Sequence, residues 1–370
     1  MALPLRLVLA GKVRRTFHPF LFRYEDFIKT VQIVGGGLAG LTLGLRLRRL
    51  GVPVELFEAG SYPRHRVCGE YLSGRGRDLL LSLVPEETLT RQGARSSAGL
   101  KLFRGREGLP RRSLPRPALC LSRHRLDEIL ARKFSAAGGC LHPQTRQSPS
   151  QAEGWVTAIG RQPSVREEGW RWIGLKAHAF DVPLGDDLEM HLTPHGYVGL
   201  CAVEENRVNV CGLFRTRETV PDLVHRWKTW LGGEPGSSLR QRLEGISWDE
   251  NSFSSVAAVS LRPRRAAEQE GVRVGDALTM IPPLTGNGMS MAIEGAFLAA
   301  EPLANWSFGK MGWPDCTQTI ALALDQAFSS RLQWARRLQQ AIFHPLGQPL
   351  AWNLSLMFPF LPRLLFHQTR

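Results

Sequence analysis

The sequence of 370 residues contains no C-x-x-C pair; its six cysteines, Cys68, Cys120, Cys140, Cys201, Cys211 and Cys316, are scattered. That scatter suits neither a zinc site nor a disulfide framework, so no metal is expected, and a reducing, cytoplasmic setting fits best. No low-complexity tract is present, and 43% hydrophobic with 22% charged residues is a globular composition. The length affords a sizeable core, in one large domain or two ordinary ones. No apolar run reaches the ~20 residues of a membrane-spanning helix. The longest, LAWNLSLMFPFLPRLLF at 350–366, is broken by Pro359, Pro362 and Arg363. It is expected to dock on the core; the other reading is peripheral contact with a membrane surface. Acid is missing before Glu25, where MALPLRLVLAGKVRRTFHPFLFR carries five basic residues. With no long apolar stretch and no A-x-A-like cleavage site, a secretory signal is not expected; an Arg-rich transit segment is one reading, and a natural start near Ile28 the favoured one.

What is abundant is positive charge: net +14, pI about 10.2. No nucleic-acid motif accompanies it, so nucleic acid is not an expected partner. The charge is mostly arginine spread along the chain, densest at 101–116 in KLFRGREGLPRRSLPR. It reads as a solvated basic surface, or as attraction to anionic headgroups or an acidic substrate.

The most informative stretch begins at residue 31. VQIV is a short β-branched run read as a buried parallel strand. Gly35-Gly36-Gly37-Leu38-Ala39-Gly40 then matches G-x-G-x-x-G and opens a helix with Leu38, Leu41 and Leu45 on one face. Gly51 ends the helix, VELF at 54–57 is a second strand, and Glu58 stands at its end. In such a unit Gly35 permits the tight turn, Gly37 lets a pyrophosphate approach the backbone, and Gly40 lets helix and strand pack closely. The helix N-terminus faces the phosphates, and Glu58 accepts from ribose hydroxyls while repelling a 2′-phosphate. The ligand half implied is an adenosine diphosphate. After Glu58 comes AGSYPRHRVCGEYLSGRG, basic and rich in turns rather than another strong strand; Arg64 or Arg66, with Arg66 favoured, would neutralise phosphate.

The segments VGGGLAGL, RHRVCGEYLS, LSRHRLDEIL, VTAIGRQPSVR, WIGLKAH and GDALTMIPPLTGNGMSMAIEGA together resemble the p-hydroxybenzoate-hydroxylase-like FAD superfamily, and within it the geranylgeranyl-reductase-like branch of bacterial oxidoreductases. The resemblance runs from Val31 to about Leu303. It implies FAD, with NAD(P)H as a candidate electron donor. A helix is predicted over 122–137, capped by Ser122, with Leu126, Ile129, Leu130 and Phe134 as its apolar stripe. By the resemblance, Arg123 at its start reaches FAD. Where hydroxylases of the superfamily carry Asp-Gly, this chain has Ile159-Gly160, which counts against NADPH use by the hydroxylase route and fits the reductase-like branch. The tryptophan motif of flavin halogenases, W-x-W-x-I-P, is incomplete in WRWIGL at Trp170 and Trp172.

A second glycine-cushioned helix start follows at 275–296. By the resemblance, Asp276 binds the ribityl chain and neighbouring pyrophosphate. Pro282-Pro283 makes a rigid loop, and Gly286-Asn287-Gly288-Met289 aims helix N–H groups at the flavin's pyrimidine end. Cys68, in VCGEYLS, is either a contact near the flavin or a small buried hydrophobe. No Ser/His/Asp relay is visible, and no catalytic residue is assigned.

The expected fold is α/β: a Rossmann-like FAD-binding layer interleaved with an antiparallel substrate-side β-sheet, plus a helical C-terminal tail. Residues 1–28 form a basic extension, 29–174 and 263–305 the two parts of the FAD region, 175–262 the substrate-side region and 306–370 the tail. Within 188–214, a meander turns at Pro194-His195-Gly196 and Glu204-Glu205-Asn206. The expected function is an FAD-dependent oxidoreductase that reduces or dehydrogenates a small lipophilic substrate, isoprenoid- or polyketide-like. The alternatives are an FAD monooxygenase hydroxylating an aromatic or polyketide ring, and a non-catalytic, membrane-associated flavin-binding protein.

Overall fold

A computed structural model describes residues 28–161, 169–217, 223–344 and 346–357. The basic N-terminal segment before Ile28 and the prolines of the C-terminal run lie outside the described residues. In chain order come β1 (Val31–Val34), α1 (Leu38–Arg49), β2 (Val54–Phe57), β3 (Tyr71–Leu72), α2 (Arg75–Leu83), α3 (Glu86–Arg91), β4 (Arg95–Arg104), β5 (Glu107–Gly108), β6 (Arg112–Cys120) and α4 (Arg123–Ala136). Then follow β7 (Cys140–His142), β8 (Trp155–Thr157), β9 (Arg171–Phe180), β10 (Leu188–Thr193), β11 (Gly196–Ala202), β12 (Val208–Thr216), α5 (Leu223–Leu231), α6 (Ser238–Arg242) and β13 (Ser247–Ala257). The chain closes with β14 (Val272–Arg273), α7 (Gly288–Ser307), α8 (Trp313–Phe343) and α9 (Gly347–Met357).

Two sheets result. The first is parallel, in the order β14-β8-β1-β2-β7. Its central strands turn Val31, Ile33, Val54, Leu56 and Val156 inward because helices cover them: α1, α4 and α7 contribute Leu41, Leu126, Leu130, Phe134, Ile293 and Leu303 to a core closed by Leu324 and Phe328 of α8. The second has nine strands, ordered β13-β9-β12-β11-β10-β4-β6-β3 with β5 beside β4. The predicted meander is its β10–β11–β12 section, and Glu205 and Asn206 both take positive φ in the second turn. The sheet is mixed rather than purely antiparallel, since β10 runs parallel to β4. It also draws on strands from 71–120, a stretch expected in the cofactor region. Those strands lie far in sequence from their partner β10, a long-range pairing that local periodicity does not reveal.

On β9, Ile173, Leu175, Ala177 and Ala179 pack against α5 and α6 through Trp227, Leu231 and Leu239. The alternate residues, Trp172, Gly174, Lys176 and His178, face the other way. On that side one apolar cluster unites Trp172, Met190, Tyr197 and Leu213 with Phe343 of α8 and Trp352 of α9, and Met280 and Leu284 pack against it. The start of the C-terminal tail thus docks on the second sheet. No helix among the described residues is long and apolar enough to cross a membrane.

Candidate cofactor cleft and active site

In a parallel sheet whose order reverses around one strand, ligands bind beyond the C-terminal ends at that reversal. Here β1 is the strand, with β2 on one side and β8 on the other. The loop after β1 holds Gly35–Gly37, that after β2 holds Glu58, that after β8 holds Ile159, Gly160 and Arg161, and that after β14 holds Gly275 and Asp276. Residues more than 200 positions apart in sequence therefore share one edge of one sheet.

The glycines divide by what surrounds them. Gly35 has φ 110°, and a Cβ there would lie 2.3 Å from the Ala158 carbonyl oxygen. At Gly40 a Cβ would lie 2.0 Å from the Gly35 carbonyl oxygen, so only glycine permits this contact between helix and turn. Gly37 differs: an added Cβ would meet nothing nearer than the guanidinium groups of Arg123 and Arg66, at 3.9 Å. Gly69 and Gly160 likewise face open space, and Gly288 has only Ile281 at 3.9 Å. The edge thus has crowded glycines where backbone meets backbone and open ones where a ligand has room. Neither Gly37 nor Asn287 gives its helix a side-chain cap hydrogen bond, so the N-termini of α1 and α7 keep N–H groups for a ligand. The loop after β14 adjoins the first turn of α1, since a Cβ on Gly275 would lie 2.8 Å from Ala39 Cβ.

Glu58 is 4% exposed and heavily engaged. Its Oε2 accepts from Gly36 N–H (2.9 Å) and Arg66 (3.3 Å), and its Oε1 from Gly60 N–H (2.8 Å). Arg64 pairs with Oε1 at 2.6 Å. Ribose hydroxyls would reach this carboxylate in place of an arginine. Of the two arginines, Arg66 also reaches Asp127 (3.4 Å) and stands beside Gly37, whereas Arg64 lies against Gly60.

Arg123 grips the buried Asp127 through two hydrogen bonds of 2.7 Å. Burial works against its charge, but the Asp127 carboxylate raises its pKa further. The start of α4 is not itself an anion site. Arg123 N–H donates to Glu70 (3.0 Å) and Arg125 N–H to Ser122 Oγ (3.1 Å), while Glu204 accepts from Ser122 N–H (3.0 Å). Any attraction for phosphate at this point comes from guanidinium groups rather than from the helix end. Asp276 is part-buried; burial pushes its carboxyl up, and Arg161, Arg123 and Arg264 pull it back in part. The residue of the second helix start that requires glycine is Gly286, at φ 61°. Asn287 and Met289 are buried beside it. Burial raises the Cys68 thiol against the pull of Arg123, which disfavours the reactive thiolate.

The sequence did not single out a buried group, Glu70, Lys176 and His178, with the half-buried His65 beside Lys176. A signal was present. In WIGLKAHAF two ionisable residues occupy alternate positions of a strand that is otherwise apolar, which puts both on one face. Trp170 is occupied elsewhere, with Arg215 at 4.2 Å and Arg217 at 4.5 Å from its ring. All six cysteines are free thiols, and no cluster fit to hold a metal occurs among the described residues.

A parallel layer, a mixed second sheet and helices at the end of the chain make up a fold shared with solved flavin-dependent halogenases and FAD-dependent monooxygenases. The match extends over nearly the whole chain for a flavin-dependent brominase, Bmp2 (TM-score 0.70, 17% identity, 92% of this chain and 93% of that one). PqsL, a probable FAD-dependent monooxygenase from Pseudomonas aeruginosa, matches with TM-score 0.65 and 16% identity over 88% of this chain and 100% of that one. By sequence, residues 33–80 match the model of the NAD(P)-binding Rossmann-like domain. An FAD-dependent monooxygenase, pytG of Aspergillus terreus (strain NIH 2624 / FGSC A1156), is 29% identical over 147 residues, 38% of this chain; the match spans 43% of that relative's length.

Proposed function

We propose that the chain is an FAD-dependent oxidoreductase of the monooxygenase type acting on a small lipophilic substrate. The observation that carries the cofactor is the sheet edge with open glycines at Gly37 and Gly160 and two guanidinium groups beside Gly37. Gly35, Gly37, Leu38, Ala39 and Gly40 would hold the pyrophosphate with Arg66 and Arg123; Glu58 the ribose; Asp276, Gly286, Asn287, Gly288 and Met289 the flavin half. When bound, FAD supplies electron transfer and, once reduced, reaction with oxygen. The chain's own residues bind and orient it. The sequence resemblance supports a lipophilic substrate; the apolar cluster of Trp172, Met190, Tyr197 and Leu213 is itself closed by Phe343 and Trp352.

The sequence resemblance to the geranylgeranyl-reductase-like branch supports a second reading, a reductase or dehydrogenase using the same cleft. Ile159, 43% exposed beside the open Gly160, offers no carboxylate to a nicotinamide donor, which favours this reading. The two part cleanly in the flask. A monooxygenase consumes oxygen in step with NAD(P)H oxidation and product formation, and a reductase turns over under argon. A purified chain that carries no FAD and takes none up would rule out both.

Peripheral membrane contact is proposed for α9, on which Leu350 and Leu356 are more than half exposed, with the exposed Leu346 just before it. Sedimentation with vesicles rich in anionic lipid is expected, and its absence at low salt would remove the proposal.

A further inference from the structure

Beneath the cleft, Glu70 is fully buried and holds φ 54°, a left-handed conformation a glutamate disfavours. Such strain persists where the surroundings over-determine it. Lys176 and His178 of β9, both also fully buried, converge on its carboxylate: Lys176 Nζ stands 3.3 Å from Oε1 and His178 Nε2 2.7 Å from Oε2. Burial alone would favour the acid form, but Lys176 and His178 outweigh it and hold the group ionised, at about 2. A buried ion pair gains little over an apolar replacement of the same volume, so stability is a weak reason for this arrangement. Its geometry suggests another. Oε1 also accepts the Arg123 N–H, and the Arg123 side chain, gripped by Asp127, comes out beside Arg66 at Gly37.

We propose that Glu70 is a positioning residue: clamped from β9 by Lys176 and His178, it fixes the first turn of α4 so that Arg123 joins Arg66 over Gly37 to receive the pyrophosphate. This rests on the FAD reading above. It couples the wall of the second sheet to the cofactor grip of the first.

The test is a mutant cycle on the full chain, read as the FAD dissociation constant. Its members are wild type, Glu70→Gln/Lys176→Met, Arg123→Ala, and all three changes together. Removing Glu70 and Lys176 together avoids stranding either of them unpaired inside. The paired change and Arg123→Ala are each expected to weaken FAD about tenfold, the scale of one charge-assisted contact, and the combination no further than Arg123→Ala alone. The salt dependence of binding is expected to flatten equally in both, a readout that a general loosening of the fold leaves unchanged. Additive losses, or wild-type affinity in the folded paired variant, would overturn the proposal. Should the paired variant not melt cooperatively, His178→Asn replaces it in the cycle, with additivity again the overturning result. A wild type that binds no FAD would overturn the function itself and this proposal with it; additivity in a wild type that binds FAD overturns this proposal alone.

Discussion

Glu58 and His65 show how much a single residue can carry. Glu58 satisfies two loop N–H groups and two arginines at once. Glu58→Ala is therefore expected to loosen the glycine turn, lowering stability by ~1–3 kcal/mol and weakening FAD binding together. Thermal melts and flavin fluorescence check both; an unchanged dissociation constant would remove Glu58 from the ribose role. His65 gives a pH signature. Burial first, and then Lys176, hold its imidazole at about 3, against 6.5 in the unfolded chain. Between those values the unfolded state binds the extra proton, so stability falls as pH is lowered from about 6.5. Glu70 acts in the same direction but lower, its contribution complete above 4.5 and lost as pH falls towards 2. His65→Asn is expected to flatten the melting temperature between pH 6.5 and 4.5, where Glu70 does not titrate. His124, stacked on His65 and also lowered by burial, leaves part of the slope in place. An undiminished slope would show that His65 titrates normally.

Among the elements, the start of α7 separates conformation from space. Gly286 is left-handed, whereas Gly288 is not, and its Cβ direction is nearly clear. Gly286→Val is expected to cost ~1–3 kcal/mol in strain, while Gly288→Ala stays close to wild type in stability and reports only on ligand space. Equal melting temperatures for the two would contradict the assignment. Phe134 anchors α4: it is fully buried, and Gly44 and Gly139 both pack on its ring. Phe134→Ala is expected to cost ~3–5 kcal/mol by chemical denaturation. These elements were legible in advance to different degrees. The unit β1–α1–β2 and the stripe of α4 declare themselves because their signals, glycine spacing, a serine cap and a period of 3.6, are local. The placement of β3–β6 in the second sheet is not local, and nothing in their own residues announces it. Glu70 and Lys176 lie more than 100 residues apart. Each alone reads as an ordinary surface charge, and only the pairing of the sheets buries them together.

For the molecule as a whole, the expected thermodynamic mark of function is stabilisation by ligand. A chain that binds FAD only when folded gains about 2.7 kcal/mol when FAD is present at 100 times its dissociation constant. The melting temperature should climb with FAD and far less with FMN, which lacks the adenosine half that the first glycine turn receives. Equal shifts from both would remove the ADP grip from the account.

The first sheet also has a history in time. Its strands are drawn from opposite ends of the chain: β1 and β2 come early, β14 comes after all of the second sheet, and α7 comes later still. A nascent chain leaving the ribosome can pair β1 with β2 at once, yet the edge beyond them stays half-built until residue 307 has emerged. With the cofactor grip proposed above, flavin is expected to load only after α7 has emerged. Ribosome-bound chains released at successive lengths are expected to be colourless until α7 is complete and yellow thereafter. The cofactor would then arrive late in synthesis, with only the C-terminal helices still to come.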